Sequence, residues 1–158
     1  MDDDNALSVL EYAIHHLGVQ HGTFYLSVLC QIPNAHTVII VGHSGCGGAS
    51  ASLTAVQSEY GSAQTLPQYP ASHALNRWLA PLTEFVQSLG VASMPVAEAL
   101  PVVVDANVKR QVENLSQTAA IKRAREEGKK VWIHGWVYEL ATGKLRDLEV
   151  SRSADAAE

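Results

Sequence analysis

The stretch VIIVGHSGCGG, residues 38–48, decides the fold of this chain. It begins with four β-branched apolar residues, a pattern typical of a strand buried on both faces, as in a parallel sheet. Gly47 and Gly48 then lead into ASASLTAV, which indicates a helix that ends before Gly61. A strand, a glycine-rich turn and a helix are the unit of an α/β fold, in which ligands bind beyond the carboxyl ends of the strands.

Three interpretations fit the turn that carries His43, Ser44 and Cys46. Imidazole and thiolate are preferred zinc ligands, and two intervening residues let both side chains reach one ion. The pair would supply two of the three or four ligands that a zinc site needs. GHSGCGG also resembles the nucleophile elbow G-x-S-x-G with Ser44 as nucleophile, but Cys46 stands where the elbow has its second glycine. In the third interpretation the turn is purely structural and Cys46 is a small buried apolar residue.

The helices are predicted from apolar residues at spacings of three and four. This spacing indicates helices over residues 5–17 and 73–89, and Pro81 should kink or split the second. Asp105 can cap a third helix that continues to about residue 127, where a glycine ends it. The preceding residues, 91–104, fit either a short helix or a strand.

The last part of the chain reads as a β-hairpin. Residues 131–150 are rich in Val, Ile, Trp and Tyr on both sides of the turn ATGK. We therefore predict one α/β domain over residues 1–150, with a mainly parallel sheet, flanking helices and a C-terminal hairpin. The remaining residues, 151–158, are predicted to be a disordered tail.

Composition narrows the class of protein. The chain has 158 residues and a net charge of −5, so it lacks the excess of basic residues that a nucleic-acid-binding surface requires. No apolar run is long enough to span a bilayer, and the acidic N-terminus lacks the pattern of a signal peptide. We expect no nucleic-acid or membrane partner. The expected location is the cytoplasm, or the mitochondrion if a transit segment preceded this sequence.

Five segments resemble the β-class carbonic anhydrases, in the same order along the chain. They are DDDNALSVLEYAIHHLGV, VIIVGHSGCGGASAS, RWLAPL, NVKRQVENL and VWIHGWVYELATGKL. The resemblance implies an α/β fold that is dimeric or larger and that binds one Zn²⁺ per active site. It also implies the hydration of CO2 to bicarbonate and a proton, with zinc as a Lewis acid that lowers the pKa of bound water.

The resemblance assigns roles to residues of the turn. His43 and Cys46 match the zinc-binding histidine and second zinc-binding cysteine of the family, and Gly47 and Gly48 match the glycines that follow. Ser44 is then a spacer. His134 matches a recurring segment that we interpret as packing, and no metal role is predicted for the other histidines.

Two departures from the family pattern bear on activity. The sequence contains no C-x-[DS]-x-R segment, which in the family holds the first zinc cysteine and an Asp–Arg dyad that orients water. We therefore expect the dyad, one ligand and the first two family strands to be missing. Residues 22–37 have no counterpart that we recognise, and they read as an insertion or a retained intron. Within them Cys30 is a candidate third ligand, although it also fits an apolar packing role.

Two functions follow from these observations. The first is a zinc-dependent carbonic anhydrase that acts on CO2 and bicarbonate as a homodimer or higher oligomer. The second is an inactive truncated pseudoenzyme that serves as a scaffold or as the partner of a full-length relative. For the chain as given, the missing segment predicts weak activity or none.

Overall fold

The structure, a computed structural model, describes residues 21–23, 35–58, 66 and 68–152. Its helices are α1 (Gly47–Gln57), α2 (Ala74–Ser88), α3 (Val96–Ser116) and α4 (Ala119–Glu126). Its strands are β1 (His21–Thr23), β2 (Ala35–His43), β3 (Lys130–Glu139) and β4 (Lys144–Arg152). The helix predicted over residues 5–17 and the candidate ligand Cys30 lie outside the described residues.

Within the described part of the chain, the strands form one sheet in the order β1-β2-β3-β4. β1 and β3 both run parallel to β2, whereas β4 pairs antiparallel with β3. This arrangement confirms the predicted α/β fold with a mainly parallel sheet, flanking helices and a C-terminal hairpin. The helix that follows β2 also ends before Gly61, as predicted.

β2 is longer than its apolar run. The run begins at Val38, but Ala35, His36 and Thr37 already pair in parallel register with β3, starting at Lys130. The strand therefore starts three residues before the run because backbone pairing extends it, and neither the polar Thr37 nor the buried His36 gives an apolar signal. The segment predicted to be an insertion, residues 22–37, thus contributes residues to both β1 and β2.

Two glycines let α3 lie close against the sheet. A Cβ atom at Gly42 in β2 would lie 2.5 Å from Val108 Cγ2 of α3. A Cβ atom at Gly135 in β3 would lie 2.8 Å from Val150 Cγ2 and 3.0 Å from Val112 Cγ2. At distances this short a side chain would force its neighbours to shift, so close packing against α3, and for Gly135 also against β4, favours glycine at both positions. Val108 and Val112 are almost fully buried in the resulting core.

α3 differs from its prediction at both ends. It begins at Val96 after Pro95, so Asp105 lies in the middle of the helix and the prediction that it caps one is wrong. Residues 96–104 are helical because Ala99, Val103 and Val104 bury the same face that continues to Val108.

The predicted continuous helix to residue 127 is also wrong, since α3 ends at Ser116 and α4 begins at Ala119. The hydroxyls of Ser116 and Thr118 donate to the carbonyl oxygens of Glu113 and Leu115 at 2.7 and 2.8 Å. Such side-chain bonds compete with helix continuation. Gly128, with φ of +77°, follows the end of α4 as predicted.

α2 continues through its proline. It spans Ala74–Ser88 with Pro81 inside, so the expectation of a split is wrong. Pro81 is exposed, and its carbonyl oxygen accepts a hydrogen bond from Arg110 Nη1 at 3.1 Å. This contact ties the middle of α2 to α3.

The hairpin forms where it is predicted and runs slightly further. β4 continues to Arg152, so the first two residues of the predicted tail belong to the sheet. Residues 153–158 lie outside the described part. The pairing shifts register between His134 and Trp136, opposite a segment in which Glu149 adopts φ of +55°. This irregularity is a β-bulge, which bends the hairpin locally.

Candidate metal centre

The turn between β2 and α1 holds both candidate ligands. β2 ends at His43, Cys46 is the residue that precedes α1, and only Ser44 and Gly45 separate them. Gly45 has φ of +67°, a conformation that residues with side chains rarely adopt. Ser50 N–H donates to the Cys46 carbonyl oxygen at 2.9 Å, which starts the helix. The backbone therefore passes from strand to helix within three residues, with an imidazole at one end of the turn and a thiol at the other.

The imidazole of His43 is exposed and oriented by its neighbour. Its Nδ1 lies 3.1 Å from the carbonyl oxygen of Ser44. A carbonyl oxygen only accepts, so Nδ1 carries a proton, and in the neutral ring Nε2 then keeps its lone pair. Metal-binding histidines commonly donate their second ring nitrogen in this manner, which fixes the ring orientation. The tautomer of His43 is therefore the one that a metal ligand at Nε2 requires.

Ser44 connects the turn to the neighbouring strand. Its backbone N–H donates to the carbonyl oxygen of Tyr138 at 2.9 Å, and its hydroxyl oxygen accepts the N–H of Leu140 at 2.9 Å. The hydroxyl oxygen thus binds the backbone at the end of β3. Ser44 therefore has a structural contact that neither the spacer nor the nucleophile interpretation predicts.

The described residues supply two ligands, not a complete set. Imidazole and thiol are donors that zinc prefers, so the chemistry of His43 and Cys46 fits the metal. Cys46 is a half-buried free cysteine. Among the residues that the structure describes, no group of three or more His, Cys, Asp or Glu side chains converges on one point. Cys30 lies outside this part of the chain, so its role as third ligand stays a prediction.

Two other described histidines, His36 and His134, lie away from the turn. His134 Nδ1 lies 2.7 Å from the hydroxyl oxygen of Ser151, a contact across the hairpin that agrees with a packing role. His36 is buried near the opposite end of β2, about 23 Å from His43 at the usual rise of a strand. The side chains of His15, His16 and His21 are outside the described set.

A charged cluster that the sequence did not predict lies beside the turn. Arg146 of β4 donates from two nitrogens to the carboxylate of Asp105 in α3, at 2.8 and 2.9 Å. Its Nε also donates to Glu139 Oε1 at 3.2 Å. The hydrogen bonds to Asp105, followed by the one to Glu139, raise the pKa of Arg146 above its usual value. Glu139 and Arg146 lie across the hairpin from each other, seven residues apart, but no sequence signal joins them to Asp105, which lies 41 residues before Arg146.

The cluster forms one wall of a cleft of about 280 Å³. Ser44 and Gly45 line another side of it, so the turn between β2 and α1 faces the cleft. The remaining wall is apolar and comes from the first half of α3 and from β3: Val96, Ala97, Leu100, Pro101, Val104 and Val137.

Comparison with known proteins decides the family. The sequence profile of the carbonic anhydrases matches residues 26–145, about three quarters of the chain. This range includes residues 26–37, so the prediction that the segment 22–37 has no family counterpart is wrong for most of its length. The chain belongs to the β-carbonic anhydrase family. A carbonic anhydrase of Pseudomonas aeruginosa is 31% identical over 114 residues, covering 71% of this chain and 46% of that protein. A carbonic anhydrase of Emericella nidulans is 27% identical over 152 residues, covering 94% of this chain and 53% of that protein.

Solved β-carbonic anhydrases share the fold. The Coccomyxa enzyme in complex with acetazolamide has a TM-score of 0.70 at 24% identity, covering 96% of this chain and 56% of that chain. A β-carbonic anhydrase of Aspergillus fumigatus has a TM-score of 0.65 at 26% identity, covering 94% and 57%. This β-carbonic anhydrase chain therefore spans about half the length of the curated relatives that it matches. Among its described helices, none has the length and apolarity needed to cross a bilayer.

Proposed function

We propose that this chain serves the reversible hydration of CO2 to bicarbonate and a proton, with Zn²⁺ held in part by His43 and Cys46. The observation that carries the proposal is the state of His43. In a β-carbonic anhydrase fold, its ring lies at the carboxyl end of β2. Nδ1–H donates a hydrogen bond to a carbonyl oxygen, and Nε2 is left to bind a metal. Cys46 supplies a sulfur ligand across a turn of two residues.

The residues around this pair have supporting tasks. When bound, zinc supplies the Lewis acidity on which the reaction depends. Gly45 permits the tight reversal, and Gly48 lets α1 approach α2, since a Cβ atom there would lie 3.3 Å from Leu79 Cδ2. We propose Cys30 as the third ligand, which would leave one tetrahedral position open for water.

A specific observation also favours the second candidate, an inactive relative that keeps the scaffold. The part of the chain that the structure describes joins no third ligand to His43 and Cys46. Two ligands hold zinc more weakly than the three or four of established sites. In this case we propose that the chain binds a longer relative and contributes no catalysis of its own.

An oligomer is part of both proposals. Trp78 on α2 is 72% exposed, and Leu75 on the same helix is 43% exposed. One of the similar structures is described as a tetrameric β-carbonic anhydrase, from Sordaria macrospora. We propose that this chain forms a homodimer or a larger assembly, to be measured by light scattering.

Zinc content and CO2 hydration, measured on the full chain, separate the two functions. For the enzyme we expect about one zinc per chain by elemental analysis and rapid hydration by stopped flow. The variants His43→Ala and Cys46→Ala should lose both properties, and Cys30→Ser should lose them only if Cys30 is a ligand. His134→Gln is the matched control and should keep both. A wild-type chain without zinc and without hydration supports the inactive relative.

A further inference from the structure

We propose that Ser44 is a positioning residue that gives the turn between His43 and Cys46 one fixed shape before any metal binds. The inference rests on the proposed function for its purpose, but the shape itself is a property of the metal-free chain. It assigns a task to a residue that the sequence presents only as a spacer.

Three groups of Ser44 are engaged at once. Its N–H donates to Tyr138 O at 2.9 Å, and its Oγ accepts from Leu140 N–H at 2.9 Å. Its carbonyl oxygen accepts from His43 Nδ1 at 3.1 Å. The first two bonds hold the residue on β3, and the third uses it to orient the imidazole. The peptide that orients His43 is therefore fastened to the sheet by the serine side chain.

No other side chain within the turn can do this. Gly45 has no side chain, and its backbone adopts φ of +67°. The N–H of Ser44 extends the pairing of His43 with Tyr138 by one more bond, after which the backbone leaves the sheet. The Ser44 hydroxyl then supplies the acceptor for Leu140 N–H that the departing backbone does not offer.

We call the two hydrogen bonds that Ser44 makes with Tyr138 and Leu140 the clamp. The end of β3, which forms the other side of the clamp, is held by further contacts. Glu139 lies between Tyr138 and Leu140, and it accepts a hydrogen bond from Arg146. Arg146 also binds Asp105 of α3 through two hydrogen bonds. The end of β3 is thus tied to both α3 and β4, so the bonds of Ser44 attach the turn to a supported part of the fold.

The first test compares Ser44→Ala and Ser44→Thr with wild type in metal-free protein. Threonine keeps the hydroxyl and alanine removes it. Nitrogen-15 NMR reports the tautomer of His43, and peptide mapping reports the alkylation rate of Cys46 separately from that of Cys30. We expect alanine to mix the two tautomers and to speed alkylation of Cys46 about fivefold, the factor for one average net hydrogen bond. Threonine should restore both values.

The matched control is Ser88→Ala, which removes a surface hydroxyl that donates to the Phe85 carbonyl at 2.6 Å, away from the turn. It should change neither value. In wild type, amide hydrogen exchange of Leu140 should be slowed although the residue is exposed, and this measurement needs no variant. Exchange of Leu140 at the unprotected rate, or a Ser44→Ala protein that matches wild type in tautomer and alkylation, would overturn the proposal.

Cobalt binding separates this inference from the proposed function. With Co²⁺ as a spectroscopic substitute for zinc, we expect Ser44→Ala to weaken binding about 10- to 100-fold, as for other partners that orient metal ligands. If wild type binds no cobalt but Ser44→Ala still alters the tautomer and alkylation, the clamp is supported and the zinc proposal fails. If wild type binds cobalt and Ser44→Ala changes nothing, the clamp fails and the zinc proposal stands.

Discussion

The carboxyl ends of β2 and β3 lie side by side, since His43 pairs with Tyr138, yet they carry different kinds of residue. The end of β2 presents an exposed imidazole and, across the turn, a half-buried thiol. The end of β3 presents backbone groups to Ser44 and a carboxylate to Arg146. The end of β2 thus carries the candidate metal ligands, and the end of β3 holds the turn between them in place.

The two ends also differ in how far their residues lie apart in the sequence. His43 and Cys46 are separated by two residues, whereas Ser44 and Leu140 are 96 residues apart. A motif of neighbouring residues can be recognised in the sequence. Contacts between residues of distant elements cannot. The comparison predicts that loss of a ligand at the β2 end changes metal binding most, and that variants of the packing beneath it and of the Arg146 cluster change mainly stability.

The largest expected effect concerns the ligands themselves. His43→Ala should lower zinc affinity more than a hundredfold, since one ligand accounts for about 3 kcal/mol of the binding free energy of a structural zinc site. It should change the free energy of unfolding of metal-free protein by less than about 0.5 kcal/mol, because the side chain is exposed. Chelator competition and urea denaturation measure the two quantities. A loss of metal-free stability as large as the loss of binding would contradict this division of roles.

The next effect concerns the packing beneath the site. Gly42→Ala should lower the free energy of unfolding by about 1–3 kcal/mol, because its Cβ would meet Val108 at 2.5 Å. Gly47→Ala is the matched control, since a Cβ there has no neighbour within 4 Å. In the first turn of α1 alanine should leave stability unchanged or raise it by up to about 1 kcal/mol. Equal destabilisation by both variants in urea denaturation would show that packing against α3 is not the cause.

The sequence predicts most of the fold, because periodicity and turn residues are local signals. The strand before Gly42, the helix after Gly47 and the hairpin are all found. The wrong predictions have several physical origins, of which tertiary packing is one. Asp105 looks like a cap, yet tertiary packing of Ala99 and Val103 extends the helix to its N-terminal side.

At the candidate site, the sequence identifies His43 and Cys46 but not the task of Ser44 or the cluster around Arg146. Those roles depend on which backbone groups and carboxylates the fold brings to the end of β3. The spacing of residues within a single element carries no information about such contacts.

The charged cluster gives a smaller effect that tests the brace. Arg146→Gln should lower the free energy of unfolding by about 0.5–1 kcal/mol, the upper range for ion pairs that are largely exposed. The Arg146 side chain is 44% exposed, but its two bonds to Asp105 give it better geometry than an ordinary surface pair. Arg123→Gln, at an exposed 3.8 Å contact with Glu127, is the control and should be close to neutral. A double-mutant cycle with Asp105→Asn should give a coupling energy that shrinks with added salt. Coupling that salt does not alter would argue against an electrostatic brace.

The smallest effect lies near the C-terminal end of α3, away from the turn. Gln117 Nε2, 3.1 Å from Glu113 Oε1, and then Arg152, at 2.9 Å from Oε2, lower the pKa of Glu113. A lowered folded-state pKa means that the stabilisation is present above the unfolded pKa and is lost as pH falls through the folded one. The side chain is largely exposed, so the change in stability in this acidic range should be slight. Gln117→Ala and Arg152→Gln should each raise the pKa of Glu113 toward its ordinary value in an NMR titration. Because Glu113 lies outside the turn, neither variant should alter the tautomer of His43. A change in that tautomer would mean that the two ends of α3 are coupled, and that the support of the site extends beyond the end of β3.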